Sequence, residues 1–165
     1  PVCAMKTALA PAEAPAFTAR PLRAADVPRL MPTERAAYSV PWTEGNFIDS
    51  IAAGYHAELL LAPDGRLIGY WLAMPGVDEM HLLNITVAPE FQRQGWAVRM
   101  LDRLIACMRS QRLNQLWLEV RVSNTRAQDV YLRYGFTQVG RRPAYYPAAG
   151  GGREDALLMS LELPA

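Results

Sequence analysis

The sequence predicts one α/β domain, a mixed sheet of about seven strands with helices on both faces. Three observations lead there. Short apolar runs bounded by Gly and Pro turns alternate with period two, as strands do, while longer runs repeat their apolar residues every three or four positions, as helices do. These runs come in the order strand, two helices, three strands, helix, strand, helix, two strands, with no internal repeat. The chain has 165 residues, about half of them apolar, which suits a single core.

Residues 1–16 are rich in Ala and Pro and are expected to form a mobile tail; residues 17–165 are the domain. Phe17 to Arg23 reads as the first strand. Ala24 to Tyr38 reads as a helix with Asp26 near its start and Pro28 in its first turn. Pro32 lies deeper and is expected to kink or split that helix. Thr43 is placed to cap a second helix, with Phe47, Ile48 and Ile51 as its apolar stripe and Gly54 at its end. Tyr55 to Leu61 and Leu67 to Met74 pair as strands around the turn Pro63-Asp64-Gly65-Arg66. After the turn at Pro75-Gly76, Glu79 to Val87 is the next strand. Ala88 to Phe91 then loops into a long helix over roughly Arg93 to Gln111, whose buried stripe is Ala97, Leu101, Leu104, Ile105 and Met108. Gln115 to Val122 is a strand with Trp117, Glu119 and Arg121 on one face and Leu116, Leu118, Val120 and Val122 on the other. Asn124 caps a helix that ends at Tyr134, with Gly135 as its terminator and Phe136 packing back behind it. Thr137 to Tyr145 and Ala156 to Leu163 close as a hairpin around Gly150-Gly151-Gly152.

Composition removes several function classes. Lys plus Arg number 17 and Asp plus Glu 16, a net charge of +1, so there is no electrostatic case for direct nucleic-acid binding. Cys3 and Cys107 form no CxxC pair, and with only His56 and His81 beside them no metal site is expected. Cys107 lies in an apolar helical run and reads as a core thiol, not a nucleophile. No apolar run reaches the length of a membrane span, and prolines interrupt any leader-like core near the start. Cysteine usage fits a reducing compartment, and the expected location is the cytoplasm with no membrane association.

The residues that carry chemistry lie in the second half. In Gln92-x-x-Gly95-x-Ala97 the small residues let a phosphate approach the backbone, and the helix behind them offers free N–H groups and the positive end of its dipole. The other reading is an ordinary strand-to-helix loop. A dinucleotide turn needs GxGxxG, and only Gly95 is present. Glu119 is a charged residue inside an apolar strand. It is either a general base acting directly or through a water, or part of a solvated face paired with Arg121. Tyr131, on the following helix, reaches the same place; a phenol with an ordinary pKa near 10 can return a proton to a departing thiolate, or it is a packed aromatic, as Tyr134 is expected to be. Asn124 is explained by its cap and can also bond the amides of a coenzyme arm. Of the arginines along the long helix, Arg93 is best placed for a phosphate, while Arg99, Arg103, Arg109 and Arg112 read mostly as a solvated face. Trp42, Tyr145 and Tyr146 wall a substrate groove or pack as a hairpin lid. His81 alternates with apolar neighbours and reads as structural.

Together these residues resemble the GNAT superfamily of acetyl-CoA-dependent N-acetyltransferases. Gln92-Arg93-Gln94-Gly95-Trp96-Ala97 looks like its pyrophosphate motif. Within it the chain more closely resembles the bacterial ribosomal-protein N-terminal alanine acetyltransferases, the RimI family. That likeness rests on Pro41-Trp42-Thr43-Glu44, Leu83-Asn84-Ile85-Thr86-Val87, Trp117-Leu118-Glu119-Val120-Arg121-Val122-Ser123-Asn124, Tyr131 with Tyr134-Gly135-Phe136, Arg141-Arg142-Pro143-Ala144-Tyr145-Tyr146-Pro147, and Gly152-Arg153-Glu154-Asp155-Ala156. It spans about Phe17 to Leu163. Trp96 and Val98 depart from the residues usual at their positions, without removing a backbone donor.

The resemblance implies splayed parallel strands holding the pantetheine arm along Ile85, Thr86 and Val87. It implies a pyrophosphate held over Gln92 to Ala97, Glu119 as base and Tyr131 as acid. The co-substrate would be acetyl-CoA. The acceptor would be the N-terminal α-amine of a protein, in this family the eighteenth small-subunit ribosomal protein with its N-terminal Ala, and the enzyme a monomer. Two other readings use the same residues: an acetyltransferase for a small-molecule amine, and an acyl-CoA-binding module without turnover, which has no need of Glu119 and Tyr131.

Overall fold

The computed structural model describes residues 14–164. Along the chain lie β1 (Thr18–Pro21), α1 (Val27–Ala37), α2 (Glu44–Ala52), β2 (His56–Leu61), β3 (Leu67–Pro75), β4 (Glu79–Val87), α3 (Trp96–Ser110), β5 (Gln115–Arg121), α4 (Thr125–Tyr134), β6 (Thr137–Pro147) and β7 (Arg153–Glu162), with single 3-10 turns at Ala24–Asp26 and Pro89–Phe91. The order matches the one read from the sequence. Most of the expected tail falls outside the described residues.

The seven strands form one open sheet in the order β1-β2-β3-β4-β5-β7-β6. Every neighbouring pair is antiparallel except β4 and β5. α1 and α2 cover one face through Val27, Leu30, Met31 and Phe47, which pack on Leu59, Tyr70 and Leu72. α3 and α4 cover the other through Met100, Leu101, Leu104, Met108 and Tyr131, packed on Ile68, Trp71, Met80 and Leu118.

One irregularity shapes the molecule. Against β3, Leu82 pairs with Ala73 and Asn84 with Leu72, so Leu83 is an extra residue on β4. A bulge of this kind reverses which side chains face which layer and bends its strand. Before it, Met80 and Leu82 join the α3/α4 core; after it, Ile85 and Val87 do, and Asn84 and Thr86 turn toward α1. The parallel pairing of β4 with β5 runs only from Glu79–Gln115 to Leu82–Leu118. Beyond that point the strands part.

The local signals hold where they depend on neighbours in sequence. Thr43 accepts from Asn46 N while the Asn46 side chain accepts from Thr43 N, a reciprocal cap. Asn124 accepts from Ala127 N, and Gly135 ends α4 with φ at 121°. Three expectations differ. Pro32 lies inside α1 without splitting it; a proline removes one helical bond, and here Leu30, Met31 and Glu34, all buried, anchor the helix on both sides of it. α3 begins at Trp96, because Arg93 and Gly95 take left-handed φ values of 61° and 81° that no helix continues through. Its stripe is therefore led by the buried Trp96 and Met100, while Ala97 sits at the edge. Ile48 is 42% exposed and leaves the stripe of α2 to Phe47.

Candidate active site

The parting of β4 and β5 opens a cleft through the molecule, with a chamber on each side. One, of about 500 Å³, is bounded by Ile85 to Val87, the loop before α3 and the start of α4. The other, of about 340 Å³, lies between the α1–α2 connection, β5 and the end of β6. They share Tyr38, Ile85, Asn124 and Tyr131, so the two chambers meet at those residues.

The larger chamber has the features of a site for an extended, anion-bearing ligand. The Ile85 carbonyl accepts from Tyr38 Oη at 2.8 Å and the Val87 carbonyl from Gln92 Nε2 at 3.2 Å. The backbone of these residues thus faces away from β3, while the Thr86 carbonyl points back at Gly69. Because a strand residue directs its N–H and C=O to the same edge, the N–H groups of Ile85 and Val87 face the cleft, as a strand edge awaiting a partner does. Beyond them the left-handed residues Arg93 and Gly95 curl the chain into the first turn of α3, and no side chain caps that helix. Its leading N–H groups are left for an anion.

The individual residues of this loop divide. Gln92, Arg93, Gly95 and Ala97 line the chamber. The Gln92 side chain is spent inside the protein, bridging Val87 and Arg126 Nη1, which bonds its Oε1 at 3.1 Å. The Gln94 side chain turns back to the Glu90 carbonyl at 3.1 Å and is not part of the wall. Trp96 contributes backbone only; its ring is core, edge-on to Phe17 at 5.5 Å, with the indole Nε1 buried and unpartnered.

Glu119, from β5, and Tyr131, from α4, both line the smaller chamber, with Tyr131 at its junction with the larger one. The Glu119 side chain is 6% exposed and lines the smaller chamber. It does not pair with Arg121, which bonds Glu154 at 2.9 Å. Instead one oxygen, Oε2, is hydrogen-bonded to His81 Nε2. The other, Oε1, lies 3.3 Å from Arg142 Nε but misaligned for a hydrogen bond, and is buried without a partner. Tyr131 is buried, and that burial pushes its phenol well above the ordinary tyrosine value, so it holds its proton. Asn124 is shared by both chambers, its Oδ1 used by the cap.

The smaller chamber is walled by Trp42 and Tyr146, as expected; Tyr145 is not, being 42% exposed with the Arg142 guanidinium over its ring. Sequence reasoning passed over its most connected residue. Glu34, 1% exposed, accepts from Trp42 N at 3.0 Å, from the Tyr70 hydroxyl, and from Asn84 Nδ2 at 3.3 Å. Asn84 Oδ1 in turn accepts from Thr86 Oγ1 at 2.8 Å, and Thr86 meets the Tyr38 hydroxyl at 2.8 Å. The network ties α1 to the displaced half of β4. Cys107, expected in the core, is half-buried on α3, its Sγ accepting from Gln111 Nε2 at 3.2 Å.

The family model for the acetyltransferase (GNAT) family matches residues 27–136. The chain is 39% identical over 138 residues to the ribosomal protein bS18-alanine N-acetyltransferase of Haemophilus ducreyi, covering 84% of this chain and 94% of that protein. It is 34% identical over 142 residues to the protein of that name from Escherichia coli K12, covering 86% and 95%. The crystal structure of the ribosomal-protein-S18-alanine N-acetyltransferase from Escherichia coli superposes with a TM-score of 0.83 at 33% identity, over 91% of this chain and 96% of that one. The parted β4 and β5, the uncapped start of α3 and these relatives lead to one conclusion: the chain belongs to the GNAT acetyltransferase family, with the ribosomal protein bS18-alanine N-acetyltransferases, the RimI enzymes, as its kin.

Proposed function

We propose that this protein transfers the acetyl group of acetyl-CoA to the α-amine of the N-terminal alanine of ribosomal protein bS18, by direct attack in a ternary complex. The observation that carries the reading is that Glu119 and Tyr131 line one chamber, which joins the other at Tyr131. Acetyl-CoA supplies the acetyl group as an activated thioester. The residues present fit it: the N–H edge of Ile85 and Val87 suits the pantetheine amides, and the Arg93 to Ala97 loop with the start of α3 suits the pyrophosphate. Asn124 stands beside the arm.

The acceptor amine enters from the side of Trp42 and Tyr146. An α-amine has a pKa of about 7.7–8.0 against about 10.4 for lysine, so a modest base frees it at neutral pH. Glu119 Oε1, buried and without a hydrogen-bond partner, takes that proton. Backbone N–H groups at Val87 polarise the carbonyl under attack, and Tyr131 gives its proton to the departing thiolate sulfur. The carboxylates of Glu119 and Glu34 in the smaller chamber favour a cationic N-terminus on arrival. One chain supplies both halves of the cleft, which supports action as a monomer, and the substrate class supports a cytoplasmic location.

The test is steady-state acetylation of an N-terminal-alanine peptide by Tyr131→Phe and Glu119→Gln. Loss of the acid lowers kcat by ~100-fold or more while acetyl-CoA affinity stays near wild type. Glu119→Gln moves the pH profile upward, because the amine must then lose its proton unaided. Wild-type kinetics in both variants would sink the assignment.

A further inference from the structure

We propose that His81 is the proton exit for Glu119, a positioning and relay residue that acts through the base. The inference deepens the assignment of Glu119 as base and rests on it. His81 points to the face opposite Met80 and Leu82, paired across the strands with Trp117 and diagonal to Glu119, two residues further along β5. There the two oxygens of Glu119 are differentiated. Oε2 is held by His81 Nε2, and Oε1 is buried with no hydrogen-bond partner. With Oε2 taken by His81, Oε1 is the atom assigned to receive the substrate proton, and Oε2 is the one that faces the imidazole.

A base this buried has to be emptied each turnover. The Glu119 side chain is 6% exposed and the His81 ring 24%, so the imidazole is the link between carboxyl and water. The steps balance. As the new N–C bond forms, the amine's N–H electron pair stays on nitrogen and its proton passes to Oε1. The neutral ring, which holds Oε2 through Nε2–H, exchanges through water to its Nδ1–H tautomer, and a half-turn of the carboxyl about Cγ–Cδ then presents the proton on Oε1 to the freed Nε2 lone pair. The resulting imidazolium releases a proton to water, and Glu119 is again a carboxylate. A histidine is suited to this because its ordinary pKa of about 6.5 lets it take up and lose a proton near neutral pH.

The charged and titratable groups around the pair are Glu79 on β4, which accepts from Trp117 Nε1 at 2.8 Å, Arg121 on β5, Arg142 and Tyr146 on β6, Glu154 on β7 and Glu34 on α1. Arg121 is neutralised by Glu154.

The experiment is kcat against pH for wild type, His81→Gln and His81→Ala, with an N-terminal-alanine peptide and saturating acetyl-CoA, with and without added imidazole, and with Glu119→Gln alongside. His81→Gln retains a donor for Oε2 but carries no proton onward. The relay predicts a kcat about ten-fold lower in both His81 variants, below the ~100-fold or more of losing a base outright, with KM for acetyl-CoA unchanged. It also predicts that imidazole restores rate to His81→Ala in a concentration-dependent way. Melting temperature and acetyl-CoA binding report folding, and if His81→Ala does not fold, His81→Gln decides. A wild-type kcat in His81→Gln overturns the relay while leaving the base intact. A wild-type kcat in Glu119→Gln shows that the base assignment itself has failed, and the relay with it.

Discussion

Glu34 is the residue on which most of the cleft's polar order depends. Its carboxylate takes hydrogen bonds from Trp42 N, Tyr70 and Asn84, all away from water. Glu34→Ala strands those donors, and each buried unpaired group costs about 1–3 kcal/mol. The variant should lose ~2–4 kcal/mol in urea denaturation, and Glu34→Gln less, since it retains an acceptor. A loss within error of zero contradicts the network. The tyrosines give a pH dependence. Burial raises the phenols of Tyr38, Tyr131 and Tyr146 above their unfolded value of about 10. Above that pH the unfolded chain sheds protons that the folded chain keeps, so stability is flat up to about pH 10 and falls beyond it. Phenolate absorbance should then appear together with unfolding; phenolate from all the tyrosines in a still-folded protein contradicts their burial. The contacts of Glu34 and His81 were not legible in the sequence for a plain reason. Their partners lie 50 and 38 residues away, and only the folded sheet brings them together. That Glu119 and Tyr131 would line one cleft was legible because each is odd in its own setting, a charge in an apolar strand and a phenol on the helix that follows.

At the scale of elements, legibility follows locality. The caps at Thr43 and Asn124, the limits of β4 and the stop at Gly135 are set by residues within a turn of one another, and the sequence displays them. The bulge was half visible: apolar residues fall at Met80 and Leu82, then shift phase to Leu83, Ile85 and Val87. A period of two cannot carry all five on one face, so the phase break itself marks the bend. The late start of α3 was hidden, since an arginine at positive φ has no sequence signal. Two substitutions test this scale. Gly69→Ala would place a Cβ 2.3 Å from the Thr86 carbonyl and force β3 away from β4. We expect a melting temperature lower by several degrees, equivalent to ~1–3 kcal/mol of overpacking, and weaker acetyl-CoA binding. Gly95→Ala meets no neighbour but must hold φ at 81°, a strain of about 1 kcal/mol. Its predicted effect is on acetyl-CoA affinity more than on stability, by isothermal titration; equal wild-type affinity contradicts the anion-cradle role of the loop.

For the molecule as a whole, the sheet does two jobs at once. Its paired ends, β4 with β5 from Glu79 to Leu82 and β5 with β7 throughout, tie the two halves into one body, and its single parting makes the cleft. Both faces are covered, one by α1 and α2 and the other by α3 and α4, and the proposed function brings the two substrates in from opposite sides of the sheet. Among the described residues no helix is long and apolar enough to cross a membrane. The most direct measurement is acetyl transfer to two short peptides of the bS18 N-terminus, analysed by mass spectrometry. One has a free N-terminal alanine; the other has that amine blocked and carries an internal lysine. The account predicts acetylation of the first alone, on its α-amine. Transfer to the lysine of the blocked peptide, or to neither while acetyl-CoA still binds, would contradict it.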